Sequence, residues 1–300
     1  MGKHMHYGIC NEPIAPLYEE AVYCLGAAGV SSGKADEILY GWLVKIEETD
    51  IGTNSAFVMT EYGYRGYVNL SDFVIGNVAD EWSKGDGLYV VDRGCLDVLC
   101  EPRVVARALK TLYRGSYVRI KKNSLPLPEG WATLILNNGE EGFAPACMLK
   151  KATLPVPVGP YKPVVRAVSS DNDNRLREAL ANSARRYLGT QYRWGGKTPL
   201  GIDCSGLTFM SYFENGIYIY RDAKLKDGYP VRRISKQAMD VGDLLYFPGH
   251  VAMYLGKNQY IHSTAKEGSF GVVINSLDVR MPNFRADLAD KLEAVGSVFS

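Results

Sequence analysis

Through the first half of the chain, apolar residues alternate with polar ones over short runs. Leu43-Val44-Lys45-Ile46, Phe57-Val58-Met59 and Gly66-Tyr67-Val68-Asn69-Leu70 have the period of half-buried strands. Ahead of them, Leu17, Val22, Leu25 and Ala28 lie in a helical stretch ended by Gly29, within an insertion at about residues 20–40 where Glu37 falls in a helix-like run, Ala35-Asp36-Glu37-Ile38-Leu39-Tyr40-Gly41. Residues 7–76 are thus expected to form one mainly β unit, a small barrel covered by at least two of Tyr62, Tyr64 and Tyr67. A similar course runs over 82–150. Leu96-Asp97-Val98-Leu99, Ser116-Tyr117-Val118-Arg119-Ile120 and Trp131-Ala132-Thr133-Leu134-Ile135-Leu136 read as strands, and Asn138-Gly139 before Glu141-Gly142-Phe143-Ala144-Pro145 predicts a hairpin. Tyr64–Leu70 aligns with Glu140–Ala146, each closing its unit, so the two segments read as a divergent repeat.

The pattern changes after residue 150. Pro155, Pro157, Pro160 and Pro163 favour extended backbone and predict a semi-rigid linker over 151–168. Over 174–188, Leu176, Leu180, Ala184 and Leu188 share one helical face, with Gly189 just past the end. A second helix is expected after a glycine-rich turn, carrying Leu207, Met210 and Phe213 and ended by Asn215-Gly216. Residues 240–248, 250–256 and 259–263 then read as strands, which gives 169–300 the segregated order of an α+β domain.

Composition narrows the function classes. The chain has 300 residues, 46% hydrophobic and 22% charged, which fits a globular protein of two or three domains. A net charge of +1 with no basic stripe argues against nucleic acid as the main partner. No apolar run is long enough to cross a bilayer, so no membrane insertion is expected, and a monomer acting on a small substrate is. No export signal is visible near Lys3, His4 and His6; a cytoplasmic location is expected, or an envelope location if a signal peptide has been removed. The six cysteines contain no C-x-x-C pair, and Cys95 and Cys100 have no neighbouring histidine, so neither a zinc site nor a disulfide scaffold is expected, and no cofactor is implied.

The candidate chemistry lies in Tyr192-Arg193-Trp194-Gly195-Gly196 through Asp203-Cys204-Ser205-Gly206. Cys204 falls in the first turn of the predicted helix, where unpaired N–H groups and the helix dipole favour a thiolate nucleophile. A helix-start cysteine can also be a merely buried one. Of four histidines, His250 and His262 lie on strands joined near Gly256-Lys257-Asn258, and a three-residue loop at 255–257 sets them opposite each other on one face. A one-residue slip separates the faces, and a cross-strand histidine pair can be purely structural. Taken together, Cys204, His250 and His262 can serve as nucleophile, base and orienting group, with the Cys204 N–H and the Tyr192 hydroxyl as oxyanion donors.

These motifs, with Gly-Asp-Leu-Leu-Tyr-Phe, His-Val-Ala-Met-Tyr-Leu-Gly and Tyr-Ile-His-Ser in the same order, resemble the NlpC/P60 cysteine peptidases over roughly residues 170–300. The resemblance implies a reduced papain-like catalytic domain. The G-[WYF]-[VA] strands that close the two N-terminal units resemble bacterial SH3-like domains, which implies two small all-β SH3-like barrels ahead of it. The whole is similar to the γ-D-glutamyl-L-diamino acid endopeptidases that process cell-wall peptides. That similarity implies cleavage after L-Ala-γ-D-Glu, with the free amine of L-Ala recognised. It casts Cys204, His250 and His262 as the catalytic residues, Tyr192 as the tyrosine near the oxyanion site, and Asp203 and Ser205 as holders of the substrate amine. Glu37 and Tyr64 match the acid and tyrosine that the first SH3-like unit supplies. The alternatives are a non-catalytic wall-binding protein, which predicts a broken triad, and a papain-like amidase or acyltransferase.

Overall fold

The computed structural model describes residues 6–25, 31–76, 87–121, 128–152 and 173–299, and divides the chain into two compact units, Met1–Tyr161 and Lys162–Ser300. From residue 153 on, the predicted proline-rich linker lies outside the described residues.

The N-terminal unit is two copies of one antiparallel sheet. The first contains β1 (His6–Cys10), β2 (Ile14–Tyr18), β3 (Lys34–Leu39), β4 (Leu43–Asp50), β5 (Ser55–Thr60), β6 (Arg65–Asn69) and β7 (Phe73–Ile75), in the order β3-β2-β6-β5-β4-β1-β7. The second contains β8 (Leu88–Val91), β9 (Cys95–Leu99), β10 (Ala108–Tyr113), β11 (Tyr117–Ile120), β12 (Trp131–Ile135), β13 (Glu141–Pro145) and β14 (Leu149–Lys151), in the order β10-β9-β13-β12-β11-β8-β14. The two orders superimpose strand for strand. β6 and β13 are the segments that align in sequence, and each runs through a single 3₁₀ turn into its sheet's last strand.

Two expectations are corrected here. Neither sheet is an SH3-like barrel: each is an open seven-stranded sheet, and among the described residues the edge strands β3 and β7, or β10 and β14, do not pair to close it. Alternation and turn residues locate strands, whereas closure depends on the non-local pairing of edge strands, which those local signals do not encode. Nor is the segment around Glu37, within the insertion expected at about residues 20–40, helical. Glu37 lies in strand β3, paired opposite Pro16, and the described part of the insertion before it is a short 3₁₀ turn at Ala21–Leu25.

The repeats are stapled together through Tyr40-Gly41-Trp42. Tyr40 is fully buried in the core of the second repeat with Val98, Leu112 and Leu134, a burial of about 2 kcal/mol for an aromatic ring of this size. Its hydroxyl accepts from the Asn137 N–H at 2.7 Å, its carbonyl accepts from the Tyr117 N–H at 2.9 Å, and the Trp42 indole N–H donates to the Gly115 carbonyl at 2.8 Å. Gly41 permits this approach: at φ +79° it lies so close that a Cβ would sit 2.4 Å from the Tyr117 carbonyl oxygen.

The C-terminal unit is α+β, as its sequence order predicts. Helix α1 (Asp173–Arg185) buries Leu180, Ala181 and Ala184 and yields to a turn that ends at Gly189, φ +80°. A two-stranded ribbon follows, β15 (Lys197–Thr198) and β16 (Gly201–Ile202), and then helix α2 (Cys204–Phe213). The sheet comprises β17 (Arg232–Ile234), β18 (Leu244–Phe247), β19 (His250–Gly256), β20 (Gln259–Thr264), β21 (Gly271–Ser276) and, after the short helix α3 (Ala286–Ala289), β22 (Ala294–Ser297), in the order β17-β22-β18-β19-β20-β21. Every residue of α2 is buried, packed between α1 and strands β19 and β20, as expected of a helix with no polar stripe. Arg177 of α1 ties that layer to the sheet through Asp243, at 3.0 Å. Among the described residues no helix is long and apolar enough to cross a membrane.

Candidate active site

The loop before α2 brings its own motifs together. Asp203 is the N-cap: its Oδ1 accepts from the Gly206 N–H at 2.6 Å. Gly196 and Gly206 then interlock the two glycine motifs. A Cβ on Gly206 would sit 2.2 Å from the Gly196 carbonyl oxygen, and one on Gly196 would sit 2.4 Å from the Gly201 carbonyl oxygen, so both positions require glycine. The Gly196 carbonyl in turn accepts from the Asp203 N–H at 3.2 Å. Ser263 of β20 donates to the Ile202 carbonyl at 2.6 Å, which fixes this loop against the strand that carries His262. Cys204 is thus the first residue of a buried helix and is only 7% exposed itself.

His250 and His262 do share a face, though not as direct partners. Met253 pairs with Ile261 and Tyr254 with Tyr260, a register that continues to place Ala252 opposite His262. The hairpin tip falls at Lys257-Asn258, both at positive φ and next to a bulge, later than the loop expected at 255–257, and this moves the pairing by two residues and preserves the face. His250 is therefore the diagonal neighbour of His262, and its Nε2 meets His262 Nδ1 at 2.7 Å. The diagonal continues onto β21, where Val273 lies opposite His262 and Asn275 is two positions further on. His262 Nε2 meets Asn275 Oδ1 at 2.8 Å, and Asn275 Nδ2 donates to the Asn283 carbonyl at 2.7 Å.

Burial sets the protonation states. It is the largest cause that lowers His250 to about 3, assisted by the neighbouring His262 and Arg285, and the largest that lowers His262 to about 4, where the Asn275 hydrogen bond works the other way. Both rings are neutral at pH 7. Burial also pushes the Cys204 thiol up to about 11, with the Asp203 charge adding to it; the Val251 and Ser205 backbone and Arg221 oppose this without reversing it. The helix start favours a thiolate, and burial opposes it. Val251 adjoins His250, so the sulfur lies beside the strand start that carries the base. Tyr192, half-buried and bridged to Ile202, feels Cys204 and Asp203, and burial raises its hydroxyl.

Asp203 and Ser205 do not face an empty pocket. Arg221, 2% exposed, donates Nη1 to Asp203 Oδ1 at 3.0 Å and to Ser205 Oγ at 2.7 Å, and Nη2 to Asp203 Oδ2 at 3.2 Å. Sequence reasoning missed both Arg221 and Asn275. Arg221 lies in an irregular segment without periodicity; Asn275 was legible only as the residue two along from Val273, had β21 been assigned. Glu37 and Tyr64 belong to the N-terminal unit. Glu37 is buried and ion-paired with Lys34 at 2.9 Å, and the Tyr64 backbone is tied to Thr60 between β5 and β6. Among the described residues no group of three or more His, Cys, Asp or Glu is placed to hold a metal ion, and all six cysteines are free thiols.

A thiol at the start of a buried helix, beside the backbone of the strand that begins with a neutral imidazole held through its Nε2 by a second ring, fits a cysteine peptidase. Residues 189–284 match the NlpC/P60 family. A relative named dipeptidyl-peptidase 6, from Lysinibacillus sphaericus, is 36% identical over 265 residues, 88% of this chain and 92% of its own. The chain belongs to the NlpC/P60 family. A γ-D-glutamyl-L-lysine dipeptidyl-peptidase from Bacillus cereus is 35% identical over 102 residues, 31% of this chain and 30% of that protein. The crystal structure of an NlpC/P60 family protein from Bacillus cereus ATCC 10987 shares the fold at TM-score 0.72 and 16% identity, covering 98% of this chain and all of that one.

Proposed function

We propose that this peptidase hydrolyses the γ-D-Glu–diamino acid bond of peptidoglycan stem peptides that carry a free N-terminal L-Ala. The observation that carries the reading is the unbroken diagonal from His250 through His262 to Asn275 beside the buried Cys204. The alternative of a non-catalytic wall-binding protein predicts a break in that line. The full-length relative named a dipeptidyl-peptidase and the partial relative named for the γ-D-glutamyl-L-lysine bond support the substrate class.

The chemistry follows from the protonation states. With thiol and imidazole both neutral at rest, proton transfer from Cys204 to His250 accompanies attack on the γ-carbonyl carbon. The Cys204 N–H in the first turn of α2 and the Tyr192 hydroxyl receive the oxyanion. The new imidazolium, hydrogen-bonded to His262, protonates the leaving α-amine of the diamino acid. Water then attacks the thioester with His250 as base, releasing L-Ala-γ-D-Glu and restoring the thiol. A substrate ammonium at Asp203 and Ser205 shares that carboxylate with Arg221, so the amine is held by a group already balanced in charge.

The test is cleavage of L-Ala-γ-D-Glu-diaminopimelate and of its N-acetylated form, followed by mass spectrometry. Release of L-Ala-γ-D-Glu from the first only is expected. No cleavage of the free peptide overturns the bond assignment, and equal cleavage of both overturns amine recognition.

A further inference from the structure

His250 has two ring nitrogens, and only one of them can serve as the base for Cys204. Nε2 is committed to His262, so Nδ1 must carry the lone pair, and Nε2 the proton. Nothing within the histidine pair enforces this, since the same 2.7 Å contact forms equally well with the proton on His262 Nδ1 and the lone pair on His250 Nε2. That second arrangement leaves His250 Nδ1 protonated and unable to accept from a thiol.

The choice is made two residues away. The Asn283 backbone carbonyl can only accept, so the Asn275 amide nitrogen must face it, at 2.7 Å. Asn275 Oδ1 is thereby turned to His262 Nε2, at 2.8 Å, and an amide oxygen can only accept. His262 must then carry its proton on Nε2 and its lone pair on Nδ1, which fixes the proton of the 2.7 Å contact on His250 Nε2. The polarity of the line therefore originates at a main-chain carbonyl, and it runs through three side chains to end in a lone pair on His250 Nδ1. Asn283 also donates its own amide to the Ile274 carbonyl at 3.2 Å, which holds the segment carrying that carbonyl against β21.

We propose that Asn275 is a positioning residue that sets the tautomers of His262 and His250 and so keeps His250 Nδ1 able to take the Cys204 proton. The tautomer assignment rests on hydrogen-bond geometry alone; its catalytic consequence rests on the peptidase reading above. Asn275 touches neither substrate nor thiol in this role and acts only through His262.

The chain contains four histidines, so nitrogen-15 NMR of histidine-labelled full-length protein at neutral pH resolves the pair. Both rings are neutral there, and each is expected as the Nε2–H tautomer. A proton on Nδ1 of His262 or of His250 overturns the proposal, and this measurement needs neither a variant nor a substrate, so it is decided separately from the peptidase reading. Asn275→Leu removes the acceptor: mixed tautomers are expected, with kcat down about tenfold to a hundredfold and KM unchanged. Asn275→Asp keeps an acceptor toward His262 but loses the donor to the Asn283 carbonyl, and is expected to keep the Nε2–H tautomer of His262 and to retain more kcat than Asn275→Leu. Wild-type tautomers in Asn275→Leu, or equal loss of kcat in the two variants, overturns the role.

Discussion

Replacing Arg221 with methionine is expected to destabilise the C-terminal unit far more than an average core substitution. The Arg221 side chain is 1% exposed and that of Asp203 10%, so the pair is withdrawn from water. Loss of the guanidinium removes both hydrogen bonds to the Asp203 carboxylate, the one to Ser205 and a further contact with the Gly196 carbonyl at 3.3 Å. Asp203 keeps only the Gly206 N–H and the Ser205 hydroxyl among these partners, so a buried carboxylate is left without its counter-charge. Breaking a buried pair from one side costs about 3–5 kcal/mol. For a unit of this size each kcal/mol lowers Tm by about 3–5 °C, which puts the expected drop at roughly 10–25 °C. Circular dichroism melts of Arg221→Met, Asp203→Asn and the double variant measure it. Because Arg221→Met/Asp203→Asn removes the orphaned charge, the double variant should be at least about 1 kcal/mol more stable than the sum of the single losses. An Arg221→Met protein that melts within about 1 °C of wild type, or strict additivity, refutes the reasoning.

Further outcomes follow from the same geometry. Gly206→Ala drives a methyl to 2.2 Å from the Gly196 carbonyl and should cost about 1–3 kcal/mol and displace the Cys204 loop, visible as a lower Tm together with lost turnover. Since His250 is lowered to about 3 and Cys204 raised to about 11, kcat/KM should be flat from about pH 5 to 9; an acid limb near the ordinary histidine value of about 6.5 contradicts the neutral resting pair. Folding holds both rings neutral, while the unfolded chain binds a proton on each below about pH 6.5, so stability is full above that pH and falls as pH drops toward 4. His262→Gln should flatten that acid slope of Tm, and an unchanged slope contradicts it.

The sequence carried the parts of this account that depend on local signals. The strands read at 43–46, 57–59, 66–70, 96–99, 116–120 and 131–136, the hairpin at Asn138-Gly139, the helix beginning at Cys204 and the repeat joining Tyr64–Leu70 to Glu140–Ala146 appear close to where alternation, turn residues and glycine placed them. Non-local pairing was less legible. The open edges of the N-terminal sheets and the diagonal rather than direct approach of His250 to His262 depend on which strands pair and in what register. Burial was a third blind spot. The helix start does not show in sequence that the whole of α2 is buried, and Asp203-Cys204-Ser205 does not show that Arg221 lies against Asp203 and Ser205. Glu37 shows the same limit at the level of one residue, since Asp36-Glu37-Ile38-Leu39 fits a helix or a strand and only its pairing with β2 decides.

In the proposed function, Cys204 itself carries the acyl group cut from the diamino acid. Rapid acid quenching of the enzyme with L-Ala-γ-D-Glu-diaminopimelate, followed by peptide mapping by mass spectrometry, tests it directly. A mass increase equal to an L-Ala-γ-D-Glu acyl group is expected on the peptide containing Cys204, absent in Cys204→Ala. Product formation with that peptide unmodified, and undiminished in Cys204→Ala, would contradict it.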